Sequence, residues 1–294
     1  MAEVFKPDFR QTLTELHDQW SSCQACSLGI SRIQVGGSFV FGEGDLGGLM
    51  LIGEGPGREE ELQGRPFIGP TGTILRSILE VLQFSSVYIT NAVCCRSWDY
   101  AYDPQGNKRT RFNKRAGKEE YIIQDDPPKN PQLNACRPRL LQQIYLVDPI
   151  LIVTLGGKAA EILLNRKVTI TTDSGKLFHM EMPGASVIPQ LTPKGAWARY
   201  KGAGTAKHLI TPVQQHIVKY PVIPLVHPAY AKANEKDQRR DAPMSLLLNG
   251  FIDIHKIYTT YMHEVHGHTL PYAEPTIEDL KKAISEDNEE SNFD

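Results

Sequence analysis

Four short apolar runs alternate with helix-patterned stretches, and this alternation constrains the fold more than any other feature of the chain. Residues 49–53 (LMLIG), 87–93 (VYITNAV), 150–155 (ILIVTL) and 222–226 (VIPLV) read as strands. Residues 71–82 (TGTILRSILEVL), 133–146, 156–164 and 245–263 carry apolar side chains at helical spacing, with Thr71 placed to cap the first of them. Strands separated by helices pair in parallel through crossovers, and the helices then cover both faces of the sheet. The runs are continuously apolar rather than alternating, as strands buried on both faces require. The expected class is therefore α/β, a three-layer α/β/α sandwich around a central, mainly parallel four-stranded sheet. Pro224 in the fourth run suits an edge or a strand end. Residues 8–21 read as an amphipathic helix, and no internal repeat is visible.

A chain of 294 residues with a 40% hydrophobic fraction can bury a proper core in one domain, taken here as residues 1–270. No apolar run approaches the ~18 residues that span a bilayer. The beginning, MAEVFKPDFRQ, lacks the basic-then-apolar pattern of a secretion signal. The expectation is an intracellular, cytoplasmic monomer with no membrane partner. The net charge of −2 gives no global argument for nucleic acid. Charge is uneven, however. Lys108, Arg109, Arg111, Lys114, Arg115 and Lys118 crowd a polar, turn-rich excursion at 97–130, and a second long segment occupies 171–220. Residues 271–294 are acidic and poor in apolar side chains, which predicts a disordered tail.

The five cysteines are Cys23, Cys26, Cys94, Cys95 and Cys136. Cys23 and Cys26 form a CxxC pair, which alone fits redox, zinc, iron–sulfur or accidental readings. With two further cysteines downstream, four thiolates suit zinc or an iron–sulfur cluster.

Ligands of open parallel sheets bind beyond the carboxyl ends of the strands. Three polar elements fall there: the loop Gly53-Glu54-Gly55-Pro56-Gly57, Asn91, and His227 with Pro228. A carboxylate can activate water, an asparagine amide matches the edge of a pyrimidine, and an imidazole N–H can stabilise a leaving oxyanion. Phe67 could stack on a flat base. Together they suit hydrolysis of an N-glycosidic bond. Each also has a structural reading: Glu54 as a helix cap, Asn91 as a partner for strand-end backbone, His227 and Phe67 as core.

The motifs GEGPG, GRPFIG, ITNAVCCR, NACRPRLLQQI, PILIVTLGGKAAEILL and PLVHPAY occur in this order. In that order the chain resembles the family 4, iron–sulfur uracil-DNA glycosylases over about residues 14–232. The resemblance implies a monofunctional enzyme that excises uracil from single- or double-stranded DNA in base excision repair, leaving an abasic site. It implies that Glu54 lies in the water-activating loop, with Gly53, Gly55, Pro56 and Gly57 around the substrate. It implies that Phe67 stacks on the everted uracil, Asn91 reads its edge and His227 stabilises charge on its O2. It assigns Cys23, Cys26, Cys95 and Cys136 to a [4Fe–4S] cluster. Cys95, rather than Cys94, lies four residues after Asn91, as the family ligand does.

The chain also departs from that family. Forty residues separate Cys95 from Cys136, and the basic and aromatic residues of that insertion could grip single-stranded nucleic acid, dock a replication or repair protein, or form a small hairpin near Pro104–Asn107. The insertion has no histidine, which argues against covalent trapping of the sugar by one. Where the family offers a leucine-type wedge after His227-Pro228, this chain has Ala229-Tyr230-Ala231-Lys232, so the wedge is either Tyr230 or missing, and weak duplex activity or a preference for single strands would follow. His179, His208 and His216, and the group His263, His266 and His268, are assigned no role. The competing classes are a catalytically silent glycosylase-like binding module and an iron–sulfur redox or sensing protein.

Overall fold

The computed structural model describes residues 9–114, 117–183, 217–237, 239, 241–266 and 274–290. The strands are β1 (Glu43–Gly44), β2 (Leu49–Gly53), β3 (Val87–Asn91), β4 (Trp98–Tyr100), β5 (Thr110–Asn113), β6 (Lys118–Tyr121), β7 (Ile123–Asp125), β8 (Leu151–Leu155), β9 (Phe178–Pro183) and β10 (Ile217–Leu225). The helices are α1 (Phe9–Ser21), α2 (Ser27–Val35), α3 (Arg58–Gln63), α4 (Pro70–Leu82), α5 (Asn130–Val147), α6 (Gly157–Leu164), α7 (Ile170–Asp173), α8 (Pro228–Ala233), α9 (Pro243–His266) and α10 (Ile277–Glu290).

The main sheet has the order β1-β3-β2-β8-β10-β9. Its four central strands are parallel, as the sequence predicts. Antiparallel β1 and β9 widen it to six. Side chains alternate between two cores. Leu49, Leu51, Val153, Leu155, Ile223 and Leu225 pack against α4, α9 and α10. Met50, Ile52, Ile152 and Val222 pack against α5 and α6 on the other face. Every residue of β2 and β8 is buried, which explains their largely apolar composition, with Thr154 as the polar member of β8.

Pro224 does not lie on an edge strand, because β10 runs between β8 and β9. Its carbonyl accepts from the Gly175 amide, so its missing N–H faces the side where the β9 ladder has already ended at Val222. Pro221 precedes the β8 ladder, which begins at Val222. Neither ring therefore removes a ladder donor.

Two further expectations change. Helix α4 starts from Gly69 with Pro70 in its first turn, so Thr71 is not its cap. The acidic segment contains a helix: in α10, Leu280 is fully buried against the α4–α9 face, and Ser77 Oγ donates to Asp287. Its few apolar residues (Ile277, Leu280 and Ile284) fall on one helical stripe, so sparse hydrophobicity sufficed once a groove existed to receive it.

The 97–130 insertion forms two small hairpin ladders, β4 with β7 and β5 with β6. Its turn is organised by Asp103, whose carboxylate accepts from the Gln105 and Asn107 amides. Lys108 Nζ lies 3.7 Å from the centre of the Tyr100 ring. Residues 184–216 of the second insertion, with His208 and His216, and His268 lie outside the described residues.

Replacing Leu280 with Ala should cost about 2–5 kcal/mol in urea unfolding, the range for emptying a buried leucine site. An unchanged midpoint would mean that α10 contributes nothing to the fold.

Candidate functional site

The strand order reverses between β2 and β8, since the chain leaves β2 toward β3 on one side and later adds β8 on the other. Helix α4 packs on one face and α6 on the opposite one, which opens a crevice at the carboxyl ends of this pair. Glu54 is the first residue beyond β2, and its carboxylate crosses that crevice. Its Oε1 accepts the Lys158 amide at 2.9 Å, at the start of α6. The cap that the sequence allowed for Glu54 is real, but it serves α6 and not the segment that follows Glu54. The crossing requires Gly156, because a Cβ there would collide with Glu54 Oε1, and its φ of 101° belongs to the glycine region. Burial lifts the Glu54 carboxyl above the ordinary range, opposed by the Lys158 amide and charge and reinforced by Glu161.

Phe67 lies almost wholly inside and adopts a left-handed backbone with φ of 51°. Such a conformation costs about 1–3 kcal/mol and persists only when its surroundings enforce it. Three groups do so. Glu60 Oε1 accepts the Phe67 amide at 2.7 Å, and Arg76 Nε donates to the Phe67 carbonyl at 2.8 Å. Gly72 lets the first turn of α4 press against the Phe67 carbonyl, where any Cβ would clash. The second oxygen of Glu60 accepts the Gly57 amide. One buried carboxylate thus ties the Gly-Pro-Gly loop to the aromatic. That bond also takes up the Gly57 N–H. Pro56 is buried, and a Cβ on Gly55 would come within 2.9 Å of Val93.

Asn91 ends β3 opposite Gly53 and is 1% exposed. Its amide Nδ2 has no hydrogen-bond partner, an arrangement that ordinarily costs folding energy. A Cβ on Gly53 would strike Asn91 Oδ1 and lie 2.6 Å from Phe67 Cζ. The glycine therefore keeps open the space where amide and ring meet. His227 follows β10 and is the N-cap of α8. Its Nδ1 accepts the Ala229 amide at 3.1 Å, which puts the single proton of the neutral ring on Nε2. Burial lowers its pKa to about 4. Its ring centre is 6.2 Å from that of Phe67, tilted by 31°.

Contacts close the circle. Gly156 N donates to Leu225 O, two residues before His227, and Gly156 also abuts Glu54. The fold thus brings Glu54, Phe67, Asn91 and His227 to one end of the sheet. The sequence reading missed Glu60, Gly72, Gly156 and Arg139. Glu60 is one of three consecutive glutamates, and nothing local marks it as the buried one. Gly156, directly after a strand, was a readable signal.

None of the five cysteines is in a disulfide. Cys136 acts electrostatically on Cys23, Cys26 and Cys95, and Cys26 acts on Cys95. Cys94 is fully enclosed, with its sulfur toward Phe41 O, and its ionisable neighbours are Arg139, Cys136, Cys95 and Arg32. Burial, then Cys136, pushes the Cys95 thiol up to about 12. Two buried guanidiniums, Arg32 and Arg139, border the set, and each retains an Nε without a partner. Among the described residues, no three His, Cys, Asp or Glu side chains converge as a single metal ion requires. Thiols gathered around Cys136, beside two buried cations, fit a larger, anionic thiolate-bound group.

In an NMR titration the His227 ring should remain neutral down to about pH 4 and show no midpoint between pH 5 and 8. A midpoint near 6.5 would contradict the enclosed, capped ring described above.

Residues 41–250 match the model of the uracil DNA glycosylase superfamily. A type-4 uracil-DNA glycosylase of Thermotoga maritima is 33% identical over 189 residues, covering 63% of this chain and 83% of the relative. One from Pyrobaculum aerophilum is 32% identical over 182 residues, covering 60% and 78%. One from Saccharolobus solfataricus is 31% identical over 192 residues, covering 62% and 75%. With this match across most of the fold and all four strand-end residues, the chain belongs to the uracil-DNA glycosylase superfamily, among relatives of type 4.

Proposed function

We propose that the protein hydrolyses the N-glycosidic bond of uracil in DNA, leaving an abasic site. The observation that carries this reading is the unpartnered, buried Asn91 amide, set beside the Phe67 ring and the Nε2–H of a neutral His227. A base within a duplex cannot reach this crevice, so the nucleotide is everted at a cost of about a few kcal/mol. Phe67 stacks on the pyrimidine. Asn91 Nδ2 donates to O4 and Oδ1 accepts from N3–H, which supplies the partner that Nδ2 lacks.

As C1′–N1 breaks, its electron pair moves to uracil and positive charge develops on the sugar. His227 Nε2–H donates to O2 and stabilises the anion without having to lose a proton. Glu54, held through one oxygen by Lys158, directs a water at C1′ with the other. The water oxygen bonds to C1′ and its proton passes to the carboxylate.

Cys23, Cys26, Cys95 and Cys136 would hold a [4Fe–4S] cluster, supported by the nearness of Cys136 to the other three and by the enclosure of Cys94, whose sulfur faces Phe41 O. When bound, such a cluster supplies a covalent tie between the chain's beginning, the segment after β3 and α5, and adds folding energy. The 97–130 hairpins join the Gly57 loop, since Asp125 pairs with Arg96 at 2.6 Å and lies beside Gly57. They extend the same face toward flanking DNA, with Lys108, Arg109 and Arg111 near exposed Phe112. Tyr230 would fill the gap left by the everted base, a role supported by its exposure on α8 just beyond His227.

Glu54→Gln should lower uracil release about 10²–10⁴-fold while leaving the fold intact. In the parent protein, activity needs the Glu54 carboxylate. Because its pKa is raised, activity should fall with decreasing pH at a value above that of an ordinary glutamate. Release assays on single- and double-stranded oligonucleotides measure both. Undiminished release by Glu54→Gln rejects this role. Elemental analysis should find iron in brown, aerobically purified protein, and its absence rejects the cluster.

A further inference from the structure

Arg139 lies three residues after Cys136 on the same face of α5, and its side chain is 0% exposed. A guanidinium cannot give up its charge, and a buried cation needs both hydrogen bonds and a balancing anion. Its hydrogen bonds are to neutral groups. Nη2 donates to Asn91 O and to Ala92 O, each at 2.8 Å, and Nη1 donates to Gln143 Oε1. Among the described residues no carboxylate forms an ion pair with it. The acidic groups around it are the Cys94 and Cys136 thiols and the Tyr88 phenol, and it bonds the Cys136 side chain. Its Nε has no partner. Gln143 in turn donates to Phe41 O at 2.9 Å and to Tyr88 Oη at 3.0 Å, so the guanidinium sits in a network with little room to move.

We propose that Arg139 is a positioning residue that serves two sites at once: its cation balances the thiolate-bound cluster, and its fork fixes the backbone of Asn91. This rests on the reading of Cys23, Cys26, Cys95 and Cys136 as cluster ligands. An iron–sulfur cluster held by four thiolates carries net negative charge, which supplies the anion that the pocket otherwise lacks. The two bonds to Asn91 O and Ala92 O set where β3 ends. They therefore set where the Asn91 amide points, although Arg139 touches neither the base nor the sugar. A small misplacement of a positioning group is expensive in rate. The cluster and the base-reading amide thus share one rigid link, and cluster occupancy is coupled to substrate alignment through it.

The test compares full-length wild type with Arg139→Met and Arg139→Lys, purified aerobically. Iron per chain, the rate of iron loss under excess chelator, circular dichroism, and kcat and KM on a single-stranded uracil oligonucleotide are measured for each. Arg139→Met should lose iron about 10- to 100-fold faster, the usual cost of removing an outer-shell partner, and should lose kcat by a similar factor. Arg139→Lys keeps the charge but not the planar fork. It should hold iron near the wild-type rate and still lose kcat, a separation that a merely structural residue would not produce. Wild-type iron loss and wild-type kcat in Arg139→Met would overturn the proposal. Full kcat in Arg139→Lys would also overturn it, and this variant decides the matter if Arg139→Met fails to fold. Iron-free wild type would instead remove the cluster reading, and with it the charge-balancing half, while the kcat of Arg139→Lys still tests the link to Asn91.

Discussion

The central sheet is enclosed on both faces, and this confines where the protein can do chemistry. Every side chain of β2 and β8 is buried, and burying an unpaired polar group there is costly, a cost the fold bears at Thr154 Oγ1. Polar side chains that must meet a ligand therefore sit where strands end and backbone leaves the ladder. Glu54, Asn91, Gly156 and His227 are all at such ends, on the carboxyl side of parallel neighbours. The crevice between β2 and β8 exists because α4 and α6 depart to opposite faces. The Glu54 bond to the Lys158 amide bridges that gap, so the residue proposed to direct water also fastens the two halves of the sheet's carboxyl edge.

Buried charge is used for position throughout the site. Glu60 sits within the protein, accepts two backbone amides and holds Phe67 in a left-handed conformation that the chain would not adopt alone. Arg139 makes the complementary arrangement, with a buried cation donating to two carbonyls at the end of β3. In each case the low dielectric that makes an unpaired charge expensive also makes the paired one directional. His227 follows the opposite course. Its enclosure removes the charge and leaves a neutral donor, suited to an anion that forms late and must then leave.

Much of this was legible in the sequence. Strand–helix alternation and unbroken apolar runs specify a parallel sheet covered on both sides, because period and composition are local consequences of burial. The ordered motifs located Glu54, Phe67, Asn91 and His227, and the fold gathers them. Local composition was less informative for α10, where a buried stripe of only a few apolar residues sufficed. It also mislocated the start of α4, where Gly69 and Pro70 precede Thr71, and of the two places it allowed Pro224, an edge or a strand end, the fold takes the second, with the missing N–H facing the unladdered side of an inner strand.

The sequence by itself determined the layers, the strand-end loops and the chemical character of the side chains available there. Those properties follow from hydrophobic period, from glycine and proline, and from the functional groups themselves. Only the tertiary structure decided which of Glu59, Glu60 and Glu61 is the buried clamp, which helix Glu54 caps, and that Arg139 is buried with its fork on the Asn91 and Ala92 carbonyls. These depend on contacts between residues far apart in the chain, where identical side chains acquire different roles from what surrounds them and from how little water remains.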